Sequence, residues 1–219
     1  MSFSPLPDIL RSDLARLRGE VVLELGAGDG RFTQALAAEG VDVVCLDRRF
    51  PAAAGGIAGD ALALPLRPGA IGVIVAANLL HLLGGVADAA AAATAWTGCL
   101  APGGCLHVLQ DDPWADTPAR RNDRKLREWL ARLVPSRGRL IALEEWRDAL
   151  AAGGGLAGWS FGRELNRTAP PPRETALALL RGEGGEPDRP TAALAAAIAR
   201  DGIDYGWYWW ARWRGEAAP

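Results

Sequence analysis

Gly26, Gly28 and Gly30 stand at alternate positions directly after a short apolar run, Val21 to Leu25. Glycines there give the backbone access to positive φ and let a ligand approach the main chain without meeting a Cβ, and Ala27 adds little bulk between them. That suits the binding of a nucleotide-like molecule against backbone. Asp47 follows about twenty residues later, the spacing at which a carboxylate accepts from both hydroxyls of a ribose. Farther on, His81, Asp111 and Asp112 are side chains able to take a proton from a reacting group. An imidazole with an ordinary pKa near 6.5 is a candidate general base, although a helix-start histidine in a polar niche is the competing structural role for His81.

These groups need a scaffold that brings them to one place. The apolar run, the glycine turn and the helical spacing of Phe32, Leu36 and Ala37 predict strand, turn and helix, in the order used by nucleotide-binding α/β folds. Gly40 closes that helix, and Val41 to Leu46 is a second strand with Asp47 at its carboxyl end. Open parallel sheets bind ligands at those ends, so Asp47 is expected to face the site. Ile71 to Ala77 is a near-continuous apolar run, as for a central strand covered on both faces. Asp8 to Leu17 has the spacing of a short amphipathic helix, and Val86 to Leu100 reads as an alanine-rich one.

Glu24-Leu25-Gly26-Ala27-Gly28-Asp29-Gly30 resembles the first motif of class I methyltransferases, which bind S-adenosylmethionine, and specifically the small-molecule, type 11 group. The spacing is G-x-G-x-G, with Arg31 where a dinucleotide fingerprint has its third glycine. Gly59-Asp60-Ala61-Leu62-Ala63-Leu64-Pro65 is similar to the family segment G-D-A-x-x-L-P, and Leu100-Ala101-Pro102-Gly103-Gly104 to its L-x-P-G-G turn into strand five. The resemblance covers about residues 20 to 110 with four ordered motifs, the fourth being the Asn78–His81 exit from strand four. It implies a Rossmann-like, seven-stranded, mostly parallel α/β sheet with helices on both faces and an antiparallel last strand.

It also implies S-adenosylmethionine as cofactor. Glu24, Gly26, Ala27, Gly28 and Gly30 would then form the turn beneath it, with Asp47 on the ribose and the stem of Arg48 against adenine. Asp60 would accept from the adenine amino group, Ala61 N–H would bond a ring nitrogen, and Asn78 would stand at the methionine end. His81, Asp111 and Asp112 become candidate bases for the acceptor. Two departures stand out: Arg48 sits where the family often has an apolar residue, and Gly72 where it usually has Asp. The rival readings are a non-catalytic protein that binds S-adenosylmethionine or a nucleotide, and an NAD-dependent oxidoreductase, which Arg31 and the Gly-Asp-Ala segment disfavour.

The 219 residues fit one domain spanning 1–219, and the methyltransferase core uses most of them, which favours a small-molecule acceptor. Net charge is −2, which argues against nucleic acid as a partner, and the most apolar stretch, Ala70 to Leu83, is too short to span a membrane. No signal-peptide pattern opens the chain, and Cys45, Cys99 and Cys105 lack C-x-x-C spacing, so a cytoplasmic protein with buried free thiols and no metal is expected.

Beyond strand five, residues 112–140 are expected to form a lid or substrate helix with a stripe of Leu126, Trp129, Leu130 and Leu133, its arginines on the solvated faces. Leu143 to Ala152 is a further helix and Leu156 to Phe161 strand six. Residues 165–202 read as an insertion before the last strand, Ile203 to Trp213, whose four tryptophans pack the sheet or line a pocket.

Overall fold

A computed structural model describes residues 6–49, 56–134, 138–166, 170, 172–181 and 188–215. In chain order the elements are α1 (Asp8–Arg16), β1 (Val22–Leu25), α2 (Arg31–Ala38), β2 (Val43–Asp47), β3 (Gly56–Ala58) and β4 (Ile71–Ala77). After a single 3-10 turn (Leu80–Leu82) come α3 (Val86–Thr97), β5 (Leu100–Asp111), α4 (Pro118–Leu133), α5 (Leu143–Gly153), β6 (Trp159–Leu165), α6 (Arg173–Arg181), α7 (Arg189–Asp201) and β7 (Trp207–Arg214). The sheet runs β3-β2-β1-β4-β5-β7-β6. β7 is antiparallel to both β5 and β6, and the pairs from β3 across to β5 are all parallel. This is the expected Rossmann-like sheet. The abbreviated crossover expected over Pro51 to Gly56 lies, except for Gly56, outside the described residues.

Alternation along the strands splits the core into two layers. Leu23, Leu25, Ile74, Leu106 and Val108 face α3 and α5, where Trp96 and Trp146 are fully buried. Val22, Val73, Val75 and Leu109 face α1 and α2 through Leu10, Leu14, Phe32 and Leu36. A third cluster joins α4, α6 and α7 through Leu126, Leu180, Leu194 and Ile198. The tryptophans of β7 pack the sheet: Trp209 is fully buried and stacks on Trp146, centroids 6.0 Å apart.

Several elements differ from the sequence reading. Leu100 does not end α3; it opens β5, and Pro102-Gly103-Gly104 is a bulge within that strand, between the pairs Ile71↔Leu100 and Val73↔Cys105. Gly104 fits there because a Cβ would lie 2.7 Å from the Gly72 carbonyl oxygen. β6 begins at Trp159, three residues later than expected, and ends at Leu165, since Gly158 turns the chain at φ +78° and its carbonyl accepts from Arg214 N–H. β7 starts at Trp207, leaving Ile203 and Tyr205 outside the strand. On α4 the apolar stripe stops short: Leu133 is 61% exposed, while Asn122 and Asp123 are buried. Gly72, in place of the family acid, makes room for Glu20, whose Cβ would lie 2.8 Å from a Cβ at that position.

Candidate active site

The carboxyl ends of β1, β2, β4 and β5 open into one cavity of about 1790 Å³, walled on the far side by α4 and by residues 138–142. Its near floor is the glycine turn. Gly26 has φ +73°, which favours glycine, and a Cβ there would have to push aside the Leu79 Cδ1 methyl, 2.7 Å away. Gly28 N–H donates to Asp47 Oδ2 at 2.9 Å, and Arg49 N–H donates to Asp47 Oδ1 at 2.9 Å. The acid ending β2 therefore pins the turn after β1. Each of its oxygens keeps lone-pair capacity toward the cavity.

Glu24 is buried at the base of the turn, where Thr33 Oγ1 donates to its Oε2 at 2.5 Å. Burial pushes its carboxyl up to about 7; Asp47 and Asp29 push the same way, against the Thr33 hydrogen bond. Asp60 Oδ1 accepts from Leu62 N–H at 2.9 Å, a local turn that presents the Asp60–Ala61 segment to the cavity. Leu62 beside it is 52% exposed and lines the same wall.

At the other end stands a hydrogen-bonded set from β4, the turn after it, and β5. Asn78 is the only non-glycine with positive φ (51°) among the described residues, a conformation asparagine tolerates better than most side chains. Its Oδ1 accepts from Asp111 N–H at 2.9 Å and from Gln110 Nε2 at 3.2 Å. Gln110, fully buried, also meets His81 Nδ1 at 3.0 Å. Burial holds His81 below its ordinary pKa, against the Asp111 charge, which favours the charged ring. Asn78→Ala removes two hydrogen bonds and places alanine in the left-handed region. It is expected to destabilise the protein by about 2–4 kcal/mol in denaturant titrations, with Asn78→Gly losing less because the backbone strain is relieved.

The cavity brings together Glu24, Gly26, Ala27, Gly28, Asp47, Arg48, Asp60, Ala61, Asn78, His81 and Asp111, but not Gly30 or Asp112. Gly30 instead caps α2 at φ +77°. The expectation that Asp112 opens onto the acceptor side is corrected: its side chain is 1% exposed, and it accepts from Arg163 Nε at 2.5 Å on the β6 side. Arg127 was expected on a solvated face of α4. It is drawn inward, donating to Asp111 Oδ2 at 2.8 Å and Asp123 Oδ2 at 2.7 Å, with Tyr205 stacked 5.7 Å away. None of the tryptophans of β7 lines the cavity.

Sequence reasoning placed Gln110 with Asp111 and Asp112 at the substrate-side end of strand five without giving it a role, and missed Arg127, Thr33 and Leu62 as site residues. The Asp123/Arg127 spacing of four on one helix was a usable signal for Arg127. Gln110 had none beyond its place at the end of a strand.

The sequence profile of a methyltransferase-domain family matches residues 23–108. No curated protein matches the chain significantly in sequence. Among solved structures, a Bacillus halodurans protein assigned as a methyltransferase superposes with a TM-score of 0.58 at 18% identity, over 95% of this chain and 98% of its own. An S-adenosylmethionine-dependent methyltransferase of Archaeoglobus fulgidus does so with a TM-score of 0.53 at 11% identity, over 94% and 93%. The cyclase SpnF is similar too, with a TM-score of 0.54 at 18% identity, over 100% and 84%. At these identities the likeness is one of fold.

Proposed function

We propose that this chain, whose residues 23–108 match a methyltransferase-domain family model, is a class I, S-adenosylmethionine-dependent methyltransferase of the type 11 group that transfers the methyl group to a small-molecule acceptor. One observation carries this reading. The glycine turn, Asp47, Asp60–Ala61 and the Asn78–His81 exit, separate in the chain, surround one cavity in the order a nucleoside sulfonium needs. The residues present fit that group: a turn whose alternate residues lack a Cβ, and acids at two strand ends.

In this reading Asp47, already oriented by Gly28 and Arg49, accepts from the two ribose hydroxyls. Asp60 and the Ala61 N–H read the adenine edge, and Leu62 joins the Arg48 stem in covering the ring. Asn78 holds the methionine end, and Glu24 sits beneath the turn. When bound, the cofactor supplies a methyl carbon made electrophilic by its positive sulfur. The protein's part is to hold the nucleophile in line with that carbon and keep water out, and such positioning is worth effective molarities of about 10⁵–10⁸ M. A drug-sized ligand fills about 300–1,000 Å³. The cavity of about 1790 Å³ therefore has room for the cofactor and an acceptor beside it.

We assign the whole span 1–219 to one domain, residues 112–140 to a lid formed by α4, and residues 165–202 to an insertion whose helices brace that lid. We propose a cytoplasmic location, which the buried free thiols Cys45 and Cys105 support; separately, no described helix is long and apolar enough to cross a membrane. A second reading, cofactor binding without methyl transfer, is favoured by the engagement of both strand-five acids with arginines.

Calorimetry with S-adenosylmethionine, S-adenosylhomocysteine and NAD tests the proposal. Both adenosyl ligands are expected to bind and NAD to fail; binding of NAD alone overturns it. A pH effect accompanies this. A positive ligand near Glu24 favours its ionised form, so a carboxyl that titrates at about 7 in the free protein loses its proton on binding. Affinity for S-adenosylmethionine is expected to rise as pH increases through about 7, and more steeply than for S-adenosylhomocysteine, which lacks the sulfonium charge. Binding enthalpies in buffers of different ionisation heat check the released proton.

A further inference from the structure

The hydrogen bonds around His81 fix which of its nitrogens carries the proton. Asn78 Oδ1 accepts the backbone N–H of Asp111, so it is the oxygen of that amide and cannot be exchanged for the nitrogen. The Gln110 atom facing it at 3.2 Å must then be the donor, Nε2. That same Nε2 meets His81 Nδ1 at 3.0 Å, and an amide NH₂ has nothing to accept with. Nδ1 therefore holds a lone pair, and in the neutral ring the hydrogen is on Nε2. Gln110 keeps this orientation although it leaves its own buried Oε1 without a partner. His81 is thus built as an N–H donor and not as a base.

The other polar groups of this end agree. Asp111 is engaged by Arg127. Arg124, on the cavity wall of α4, has a buried Nε without a hydrogen bond and only a 3.5 Å pairing with Glu128, which is 55% exposed. Arg132, farther along that wall, donates to the Glu128 carbonyl at 3.4 Å. The charged groups facing His81 are Asp111 from β5, Arg127 from α4 and Arg139 from the loop before α5; Arg139 is bound bidentately by Glu145. Among the described residues lining the cavity, Arg124 and Arg132 add donors on the α4 wall.

We propose that the acceptor is a carboxylate, ionised before it enters, with one oxygen held by the His81 Nε2–H while the other is methylated, Gln110 being the positioning residue that sets the tautomer. This rests on the methyltransferase reading above. The balance closes without a protein base. The free carboxylate oxygen forms the bond to the methyl carbon as the carbon–sulfur bond breaks, and that electron pair stays on sulfur. An anion and a sulfonium become an ester and a thioether, and no proton moves.

The test has two arms. Nitrogen NMR of the full chain reads the His81 tautomer without any ligand: Nδ1 is expected unprotonated and Nε2 protonated, with Gln110→Glu reversing the pair. A protonated Nδ1 in the unaltered protein overturns the proposal. In the second arm the protein is given S-adenosylmethionine with a labelled methyl group and the small-molecule fraction of a cell extract. The transferred label is expected to be released by alkali as volatile methanol, the mark of a methyl ester. His81→Leu is expected to lower this transfer about 10- to 100-fold, the scale of one hydrogen bond to a charged group, and His81→Gln, which keeps an N–H donor, to recover much of it. Alkali-stable label, or no transfer by a protein that binds the cofactor, overturns the carboxylate assignment. Failure to bind S-adenosylmethionine at all overturns the methyltransferase reading instead.

Discussion

Asp47→Ala is expected to weaken binding of S-adenosylhomocysteine by about 100- to 1,000-fold. In the proposed complex this carboxylate accepts from two ribose hydroxyls, and each hydrogen bond to a charged group is worth about 1.5–3 kcal/mol. Tenfold in affinity is about 1.4 kcal/mol, so even partial loss of both bonds reaches the lower figure. The same side chain also accepts from Gly28 and Arg49 N–H groups, so its removal loosens the turn as well as the ribose contact. Asp47→Asn keeps one acceptor oxygen and is expected to fall between the two. Calorimetry on the folded variants checks this, with circular dichroism to confirm that the sheet is retained.

The second large effect lies on the opposite side of the sheet and concerns stability. Asp13 of α1 is 1% exposed and accepts from His107 Nε2 at 2.9 Å, Arg212 Nη2 at 2.9 Å and Arg214, tying α1 to β5 and β7. Asp13→Ala leaves the buried His107 N–H without its acceptor and the Arg212 guanidinium without its counter-charge, and is expected to destabilise the fold by about 3–5 kcal/mol in denaturant titrations. Cys105 stands close to Asp13 and His107. Three arginines already satisfy that carboxylate, and burial pushes the thiol up to about 12, so the group serves as a structural ion cluster.

The cluster also sets an acid limit. Burial drives the His107 pKa below its ordinary value, outweighing the Asp13 hydrogen bond; its Nδ1 has no partner among the described residues, so a proton there would be an unpaired buried donor. The native state thus binds fewer protons than the unfolded chain. Stability from His107 is complete above about 6.5 and declines as pH falls below it. Burial alone would raise the Asp13 carboxyl, but hydrogen bonds and charges from His107 and Arg212 hold it well below the carboxylate range. Its contribution is complete above the ordinary carboxylate value and is lost only at lower pH. Both slopes have the same sign, so this cluster weakens on acidification, while the raised Glu24 carboxyl contributes the opposite slope between about 7 and the ordinary carboxylate range.

What was legible in the sequence was what is local. The glycine turn, Asp47 and Gly59-Asp60-Ala61 announce themselves within a few residues each, because turns and strand ends are specified by neighbours in the chain. The open parallel sheet then dictates that such ends converge. Contacts between distant elements were not legible. Arg127 looked like one more solvated arginine, and only the docking of α4 over β5 brings it to Asp111. Asp111 and Asp112 looked equivalent, but successive strand residues point to opposite faces, one toward the cavity and one toward Arg163 of β6. The shift of β6 had a similar cause: its start depends on pairing with β7, fifty or so residues later, and not on its own hydrophobic pattern. Gln110 gains its role from two partners, Asn78 and His81, about thirty residues away in the chain.

The most direct measurement of the central claim is a crystal structure with S-adenosylhomocysteine bound. The ribose hydroxyls should lie within hydrogen-bond distance of Asp47, the adenine edge against Asp60 and the Ala61 N–H, and the sulfur toward Asn78 and His81. A ligand elsewhere on the molecule, or one whose ribose leaves Asp47 untouched, would contradict it.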